Sequence, residues 1–135
     1  MPAMSGRAYV TLVTNADYLP GATALVRSLV RTGTTAEILV MHTGGVEAGA
    51  RLVPVDLLPT SEAFNAAHSR RAQHAAAPFT KGGKPAFHTP LDNFAKLRLW
   101  QLPAARVVFL DADTLVLQNV DRLFDYPEFS AAPNV

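Results

Sequence analysis

The feature that most constrains this chain is an apolar run that leads directly into two carboxylates. Residues 107–110 read Val-Val-Phe-Leu, and Asp111 and Asp113 follow with one alanine between them. A short run that is apolar on both faces and rich in β-branched residues predicts a strand buried on both sides, as in the parallel sheets of α/β proteins. Ligands of open α/β sheets bind just beyond the carboxyl ends of the strands. The sequence therefore predicts a ligand site at Asp111 and Asp113.

The residues upstream predict a strand, a helix and a second strand of the same sheet. The strands are predicted at residues 9–14 and 37–41, where β-branched and apolar side chains dominate. In the intervening helix, Asp17 is the candidate N-cap, Pro20 is tolerated in the first turn and Gly33 is the candidate C-cap. Five apolar residues share one face of this helix: Leu19, Ala22, Val26, Leu29 and Val30.

The rest of the chain predicts further helices and short strands. We expect a strand at 51–56, helices at 61–76 and 91–101, a helical turn at 119–125 and a strand at 129–132. Pro54 favours an edge position for the 51–56 strand, because proline cannot donate to a ladder. The order predicts an α/β fold with an open, mostly parallel sheet flanked by helices, and residues 1–135 are expected to form part of a single domain.

Composition excludes several classes of function. The net charge of +1 argues against nucleic acid or an anionic membrane as the main partner, and the absence of cysteine excludes thiolate metal sites. No apolar run approaches the roughly 18 residues that span a bilayer. Since residues 1–7 also lack the pattern of a signal peptide, we expect a cytoplasmic protein.

The spacing of Asp111 and Asp113 predicts the chemistry of the site. Residues two apart lie on one side of an extended chain, so both carboxylates can bind one oxygen-seeking cation such as Mg²⁺ or Mn²⁺. A cation with open coordination positions suits a diphosphate and can stabilise a leaving phosphate. The alternative is structural: Asp111 caps the turn after the strand and Asp113 forms an Asx-turn.

Two families carry this local pattern. Residues 109–115, Phe-Leu-Asp-Ala-Asp-Thr-Leu, resemble the first motif of haloacid-dehalogenase-type phosphatases, in which the first aspartate is the nucleophile and the second a general acid/base. In that family the motif normally follows the first strand of the domain. Here several predicted elements precede it.

A broader resemblance is to the family 8 glycosyltransferases, the glycogenin and galactinol-synthase relatives. Four segments carry it in order: residues 8–18, 21–29, 94–100 (Phe-Ala-Lys-Leu-Arg-Leu-Trp) and 108–124 with the DxD motif. The resemblance implies the nucleotide-binding, Rossmann-like half of a GT-A fold, with a C-terminal part that this chain does not contain. It also implies a hexosyltransferase that moves a hexose from a nucleotide sugar, UDP-linked, to a hydroxyl acceptor, with retention of configuration and dependence on Mn²⁺.

The resemblance also implies the site residues. Those expected at the nucleotide sugar are Leu12, Thr14, Asn15, Tyr18, Lys96, Asp111, Ala112 and Asp113. Asp111 and Asp113 would bind the metal, and Tyr18 would stack on the uracil. For Tyr18 the alternative is a half-buried packing role, and for Lys96 it is an i,i+4 pair with Asp92 on the helix surface.

The resemblance leaves the catalytic residues unassigned, because the family's metal-binding histidine and acceptor contacts lie in its second half. A non-catalytic fragment with weak nucleotide affinity is therefore an alternative to an active enzyme. An unfinished sheet would also expose an edge, which predicts self-association into a homo-oligomer.

Overall fold

The computed structural model of the protein describes residues 6–43, 51–56, 59, 61–67 and 90–133. At its centre lie four strands: β1 (Arg7–Val13), β2 (Glu37–His42), β3 (Arg51–Pro54) and β4 (Arg106–Phe109). They form one sheet in the order β3-β2-β1-β4, and every pairing is parallel. The predicted α/β fold with an open, mostly parallel sheet is confirmed, and among the described strands β3 lies at an edge, as Pro54 predicted.

The two inner strands, rather than β4, supply the most deeply buried part of the sheet. Six of the seven residues of β1 are buried, because β2 and β4 flank this strand and helices cover both its faces. No residue of β4 is buried, since among the described strands it pairs with β1 alone. The expectation that residues 107–110 would be buried on both sides is therefore wrong. Their register is well defined, with Val10 opposite Phe109 and the Leu110 amide donating to the Val10 carbonyl at 2.9 Å.

Helix α1 (Leu19–Arg31) joins β1 to β2, and a short 3₁₀ helix (Ala16–Tyr18) precedes it. The predicted cap at Asp17 is wrong. Asn15 is extended, and its Oδ1 accepts from the Asp17 amide at 2.9 Å, so the cap lies at the start of the 3₁₀ turn. Pro20 lies in the first turn of α1 as predicted. The C-cap of α1 is Thr32, so the predicted C-cap at Gly33 is one residue too late. Gly33, with φ +71°, directly follows this cap, and its amide donates to the Val30 carbonyl at 3.1 Å.

The buried face of α1 differs from the predicted face at Leu19, which is half-buried, and at Leu25 and Val30. Four side chains of the helix are buried: Ala22, Leu25, Val26 and Leu29. Leu25 was not predicted, and Val30, which was, is 61% exposed. One residue advances a helix by about 100°, so a stripe centred on residues 22–29 turns position 30 toward solvent.

Alternate residues of β1 face two different layers. Tyr9 packs with Leu25, Leu29 and Phe124, whereas Ala8, Val10 and Leu12 pack with Ala95. Ala95 belongs to the 3₁₀ helix Pro90–Gln101, and Phe124 to the 3₁₀ helix Asp121–Asp125. This period-two alternation places α1 on one face of the sheet and Pro90–Gln101 on the other.

The remaining predictions are met in part. Helix α2 (Glu62–Ala67) starts where expected, with the Ser61 hydroxyl accepting from the Phe64 amide at 3.1 Å, and its predicted continuation to residue 76 lies outside the described residues. The strand predicted at 51–56 ends at Pro54. The strand predicted at 129–132 is wrong, because Phe129 has a left-handed φ of 57°, which an extended strand does not allow. Within the described residues no helix has the length and apolar character needed to cross a bilayer.

A polar network fastens the 3₁₀ helix Asp121–Asp125 to β1. The Tyr9 hydroxyl and the Thr34 hydroxyl each donate to Asp121 Oδ1 at 2.6 Å. Burial acts to raise the pKa of Asp121, but the hydrogen bonds from Thr34, Tyr9 and Asn119 outweigh it and lower the pKa below its ordinary value. Burial and the bond to Asp121 raise the pKa of Tyr9 far above its usual range. Both groups therefore favour the ionisation states that keep the bond.

Thr11, in the middle of β1, offers a direct test of the core. Its side chain is 2% exposed, and its hydroxyl has no hydrogen-bond partner in the described part of the chain. An unsatisfied buried hydroxyl is destabilising, and valine has the same shape without it. We expect Thr11→Val to raise the free energy of unfolding by about 1 kcal/mol in equilibrium urea denaturation. The control Thr35→Val, at an exposed hydroxyl that accepts from Arg7, should give no increase; a loss of stability in Thr11→Val would contradict the interpretation.

Candidate functional site

The two predicted carboxylates lie on a turn at the carboxyl end of β4, which we call the D-A-D turn (residues 111–113). The amide and hydroxyl of Thr114 both donate to the main-chain carbonyl of Asp111, at 3.1 and 2.6 Å, and close the turn. Ala112 is buried, while the side chains of Asp111 and Asp113 are exposed. Since a main-chain carbonyl closes the turn, its geometry leaves both carboxylates accessible to a ligand.

Lys96 is the described cation nearest to this turn. Its Nζ lies 2.8 Å from Asp111 Oδ1 and 5.3 Å from the centroid of the Phe109 ring. The alternative partner, Asp92, has a side chain outside the described residues. The side chains of Lys96 and Asp111 are 37% and 57% exposed, and ion pairs this exposed contribute only about 0–1 kcal/mol. A ligand that brings its own charges can therefore separate the pair at little cost.

The turn after β1 meets the D-A-D turn through a shared apolar cluster. Tyr18 is half-buried and packs against a cluster that includes Val13, Val26 and Ala112. Asn15, also half-buried, uses its Oδ1 to cap the 3₁₀ turn. The Thr14 carbonyl accepts from the Thr43 hydroxyl at 3.0 Å, which links this turn to the end of β2. The predicted residues that follow β1 and those that follow β4 therefore lie together at the carboxyl ends of these two strands.

Leu12 differs from the other predicted site residues. Its side chain is 7% exposed and packs in the cluster that contains Ala95 and Phe109, on the opposite face from α1. Leu12 is therefore a core residue, and any contact that it makes with a ligand at this edge would come from its main chain.

Sequence reasoning missed two residues that support the D-A-D turn. A Cβ placed on Gly21 would lie 2.6 Å from the Ala112 carbonyl oxygen, so α1 approaches the turn as closely as a glycine permits. The Ser28 hydroxyl accepts from the Val116 amide at 3.0 Å. A glycine inside a helix is unfavourable, and this alone could have marked Gly21 as a point of close approach.

The donors at the D-A-D turn suit a hard divalent cation. Both are exposed carboxylates, and carboxylate oxygens are the ligands that Mg²⁺ and Mn²⁺ prefer. No group of three His, Asp or Glu side chains that could hold a metal occurs in the described part of the chain. Asp111 and Asp113 would thus be two protein ligands, with the remaining coordination positions left to water or to the oxygens of a bound phosphate.

Comparison with known proteins gives one consistent result. Residues 9–130 match the model of glycosyl transferase family 8. Human glycogenin-2 is 39% identical over 132 residues, which cover 97% of this chain and 25% of the relative. Glycogenin-1 of Caenorhabditis elegans is 36% identical, covering 95% of this chain and 28% of the relative.

A plant protein shows the same kind of similarity. UDP-glucuronate:xylan alpha-glucuronosyltransferase 2 of Arabidopsis thaliana is 32% identical over 131 residues, which cover 94% of this chain and 20% of the relative. The chain thus spans less than a third of the length of each of these three proteins.

Proposed function

Because this chain belongs to glycosyl transferase family 8, we propose that it forms the nucleotide-sugar-binding part of a single glycosyltransferase domain. The parent reaction is transfer of a hexose from a UDP-linked donor to a hydroxyl acceptor, with retention of configuration. One observation carries the proposal: a D-A-D turn with two exposed carboxylates and a lysine follows β4, inside a segment that matches this family. The UDP-glucuronate in the plant relative's name supports a UDP-linked donor.

In this proposal the polar and aromatic residues of the site have distinct tasks. Asp111 and Asp113 hold a divalent cation, Mn²⁺ with Mg²⁺ as a substitute, which when bound acts as a Lewis acid toward the leaving diphosphate. Tyr18 offers its ring to the uracil, and Thr14 and Asn15 shape the turn beside it. Lys96 leaves Asp111 and pairs with the negative charge of the donor. This change of partner costs little free energy, because the ion pair of Lys96 with Asp111 is exposed and weak.

The position of the turn favours this proposal over the phosphatase. Among the described elements the D-A-D turn follows the fourth strand, β4, so that three described strands and α1 precede it. In the phosphatase family the corresponding motif normally follows the first strand. The family match also runs from residue 9, within β1, to residue 130, beyond β4.

The proposal predicts that UDP binding depends on a divalent metal. In isothermal titration calorimetry with UDP up to millimolar concentration, we expect binding in the presence of Mn²⁺ and its loss after EDTA. Uridine, which lacks the diphosphate, is the matched ligand control and should bind no better with Mn²⁺ than without it. UDP affinity that is equal with and without the metal would overturn the proposed site. UDP release from UDP-glucose by the same sample separates an active enzyme from a binding protein.

A further inference from the structure

The chain that follows the D-A-D turn lies along the whole length of α1. At the start of the helix, Gly21 meets the carbonyl of Ala112. Farther along the helix, the Ser28 hydroxyl accepts from the Val116 amide at 3.0 Å. At the C-cap, the Thr32 carbonyl accepts from Asn119 Nδ2 at 3.4 Å. Residues 112–119 therefore follow the helix from its first turn to its last, and α1 is their main support.

This support explains the exposure pattern of the apolar residues 115–117, Leu-Val-Leu. Val116 is half-buried against the cluster of Tyr9, Leu25 and Leu29, whereas Leu115 and Leu117 are 62% and 92% exposed. The alternation is that of an extended chain, but these residues form no strand and so lack the hydrogen-bonded ladder that holds β4. Their position depends on α1 instead.

Gly21 is the residue of α1 that lies against the D-A-D turn. Its φ is not left-handed, so the backbone conformation does not require glycine there. What requires glycine is space, because an added Cβ would lie 2.6 Å from the Ala112 oxygen and 3.7 Å from Asp113 Cα. The nearest atom belongs to the main chain between the two carboxylates, so no side-chain rotation can relieve the contact.

We propose that Gly21 and Ser28 are positioning residues that let α1 set the placement of Asp111 and Asp113 relative to the turn at Asn15 and Tyr18. Gly21 fixes how close the helix and the D-A-D turn approach, and Ser28 holds the chain that leaves the turn. The inference rests on the proposed function, since the placement matters only if these carboxylates bind the donor's metal.

The proposal predicts a specific defect in Gly21→Ala. To reach an ordinary contact of 3.4 Å, the Ala112 carbonyl must move by about 0.8 Å. A misplacement of about 1 Å at a reacting centre can lower a reaction rate about 100-fold. We expect the affinity for UDP with Mn²⁺ to fall about tenfold or more. The electron paramagnetic resonance titration of Mn²⁺ without nucleotide should show weaker binding as well.

Gly33→Ala is the matched control. Gly33 has φ +71° and no atom within 4 Å of an added Cβ, so alanine there strains the end of α1 without touching the site. We expect Gly33→Ala to lower the melting temperature and leave UDP and Mn²⁺ affinity within about twofold of the unmodified chain. Ser28→Ala, which keeps the helix and removes the acceptor of the Val116 amide, should weaken both affinities severalfold and serves as the deciding variant if Gly21→Ala does not fold.

The outcomes separate this inference from the proposed function. If the unmodified chain shows no Mn²⁺-dependent UDP binding, the proposed function fails. If it binds and Gly21→Ala and Ser28→Ala bind equally well, the proposed function stands and the positioning role is wrong. If Gly33→Ala weakens binding as much as Gly21→Ala at the same fraction folded, the effect is loss of stability and the positioning role is likewise wrong.

Discussion

Asp113→Asn is expected to lower the affinity for UDP in the presence of Mn²⁺ by at least about 100-fold. Substitution of groups that only orient a ligand of a metal typically costs about 10–100-fold in affinity, and loss of a ligand itself should cost no less. Asparagine keeps the size of the side chain and one oxygen but removes the negative charge that attracts the cation. Because Asp113 is exposed, we expect the unfolding midpoint to stay unchanged.

Asp125→Asn is the matched control for charge. Asp125 is an exposed carboxylate at the end of the 3₁₀ helix that packs on Tyr9, so the substitution removes the same charge elsewhere. Titration calorimetry should show the loss in Asp113→Asn and none in Asp125→Asn. If the unmodified chain, Asp113→Asn and Asp125→Asn all bind UDP with the same affinity, Asp113 is not a ligand of the metal. Release of phosphate from an aryl phosphate with Mg²⁺, abolished in Asp111→Asn, would instead favour the phosphatase.

Phe124→Ala is expected to have the largest effect on stability. Phe124 is 3% exposed, and its ring meets that of Tyr9 edge to face with centroids 4.8 Å apart. The Arg7 guanidinium lies 5.4 Å from the ring centroid, and the Phe124 carbonyl accepts from Arg106. Removing a buried phenyl ring typically costs about 3–5 kcal/mol, a large share of the roughly 5–15 kcal/mol that holds a domain folded.

The measurement is equilibrium urea unfolding followed by circular dichroism. Phe129→Ala is the control, because this phenylalanine is 81% exposed and stacks on Trp100, which is also exposed, with ring centroids 6.3 Å apart. We expect Phe129→Ala to change the free energy of unfolding by less than about 1 kcal/mol. A similar small change in Phe124→Ala would mean that residues 121–125 are not an integral part of the core.

The local features of the site could be predicted from the sequence. An apolar β-branched run followed by two carboxylates is a pattern within a few residues, and it led to the carboxyl end of β4. The parallel β1-α1-β2 unit was predicted for the same reason, since strand and helix periodicities are local. The roles of Thr14, Asn15, Tyr18 and Lys96 at a nucleotide sugar stay predictions, as do the expected cytoplasmic location and self-association.

Two of the errors arose where two residues of similar chemistry could fill one role. Asn15 and Asp17 are both good caps, and only the start of the 3₁₀ turn selected Asn15. Leu25 and Val30 are both apolar, and packing against Tyr9 and Leu29 selected Leu25. The strand predicted at 129–132 failed because a left-handed residue is not apparent from an apolar composition.

The sequence by itself determined the class of fold and placed Asp111 and Asp113 just after a strand of the sheet, because both depend on residue type and short spacing. That a ligand binds at these two carboxylates stays a prediction. Only the tertiary structure decided that Lys96 pairs with Asp111 and that Gly21 and Ser28 support the D-A-D turn. Those contacts join residues that lie 15 to 91 positions apart in the chain. They depend on how α1 and the helix Pro90–Gln101 pack on opposite faces of one parallel sheet, which no local pattern specifies.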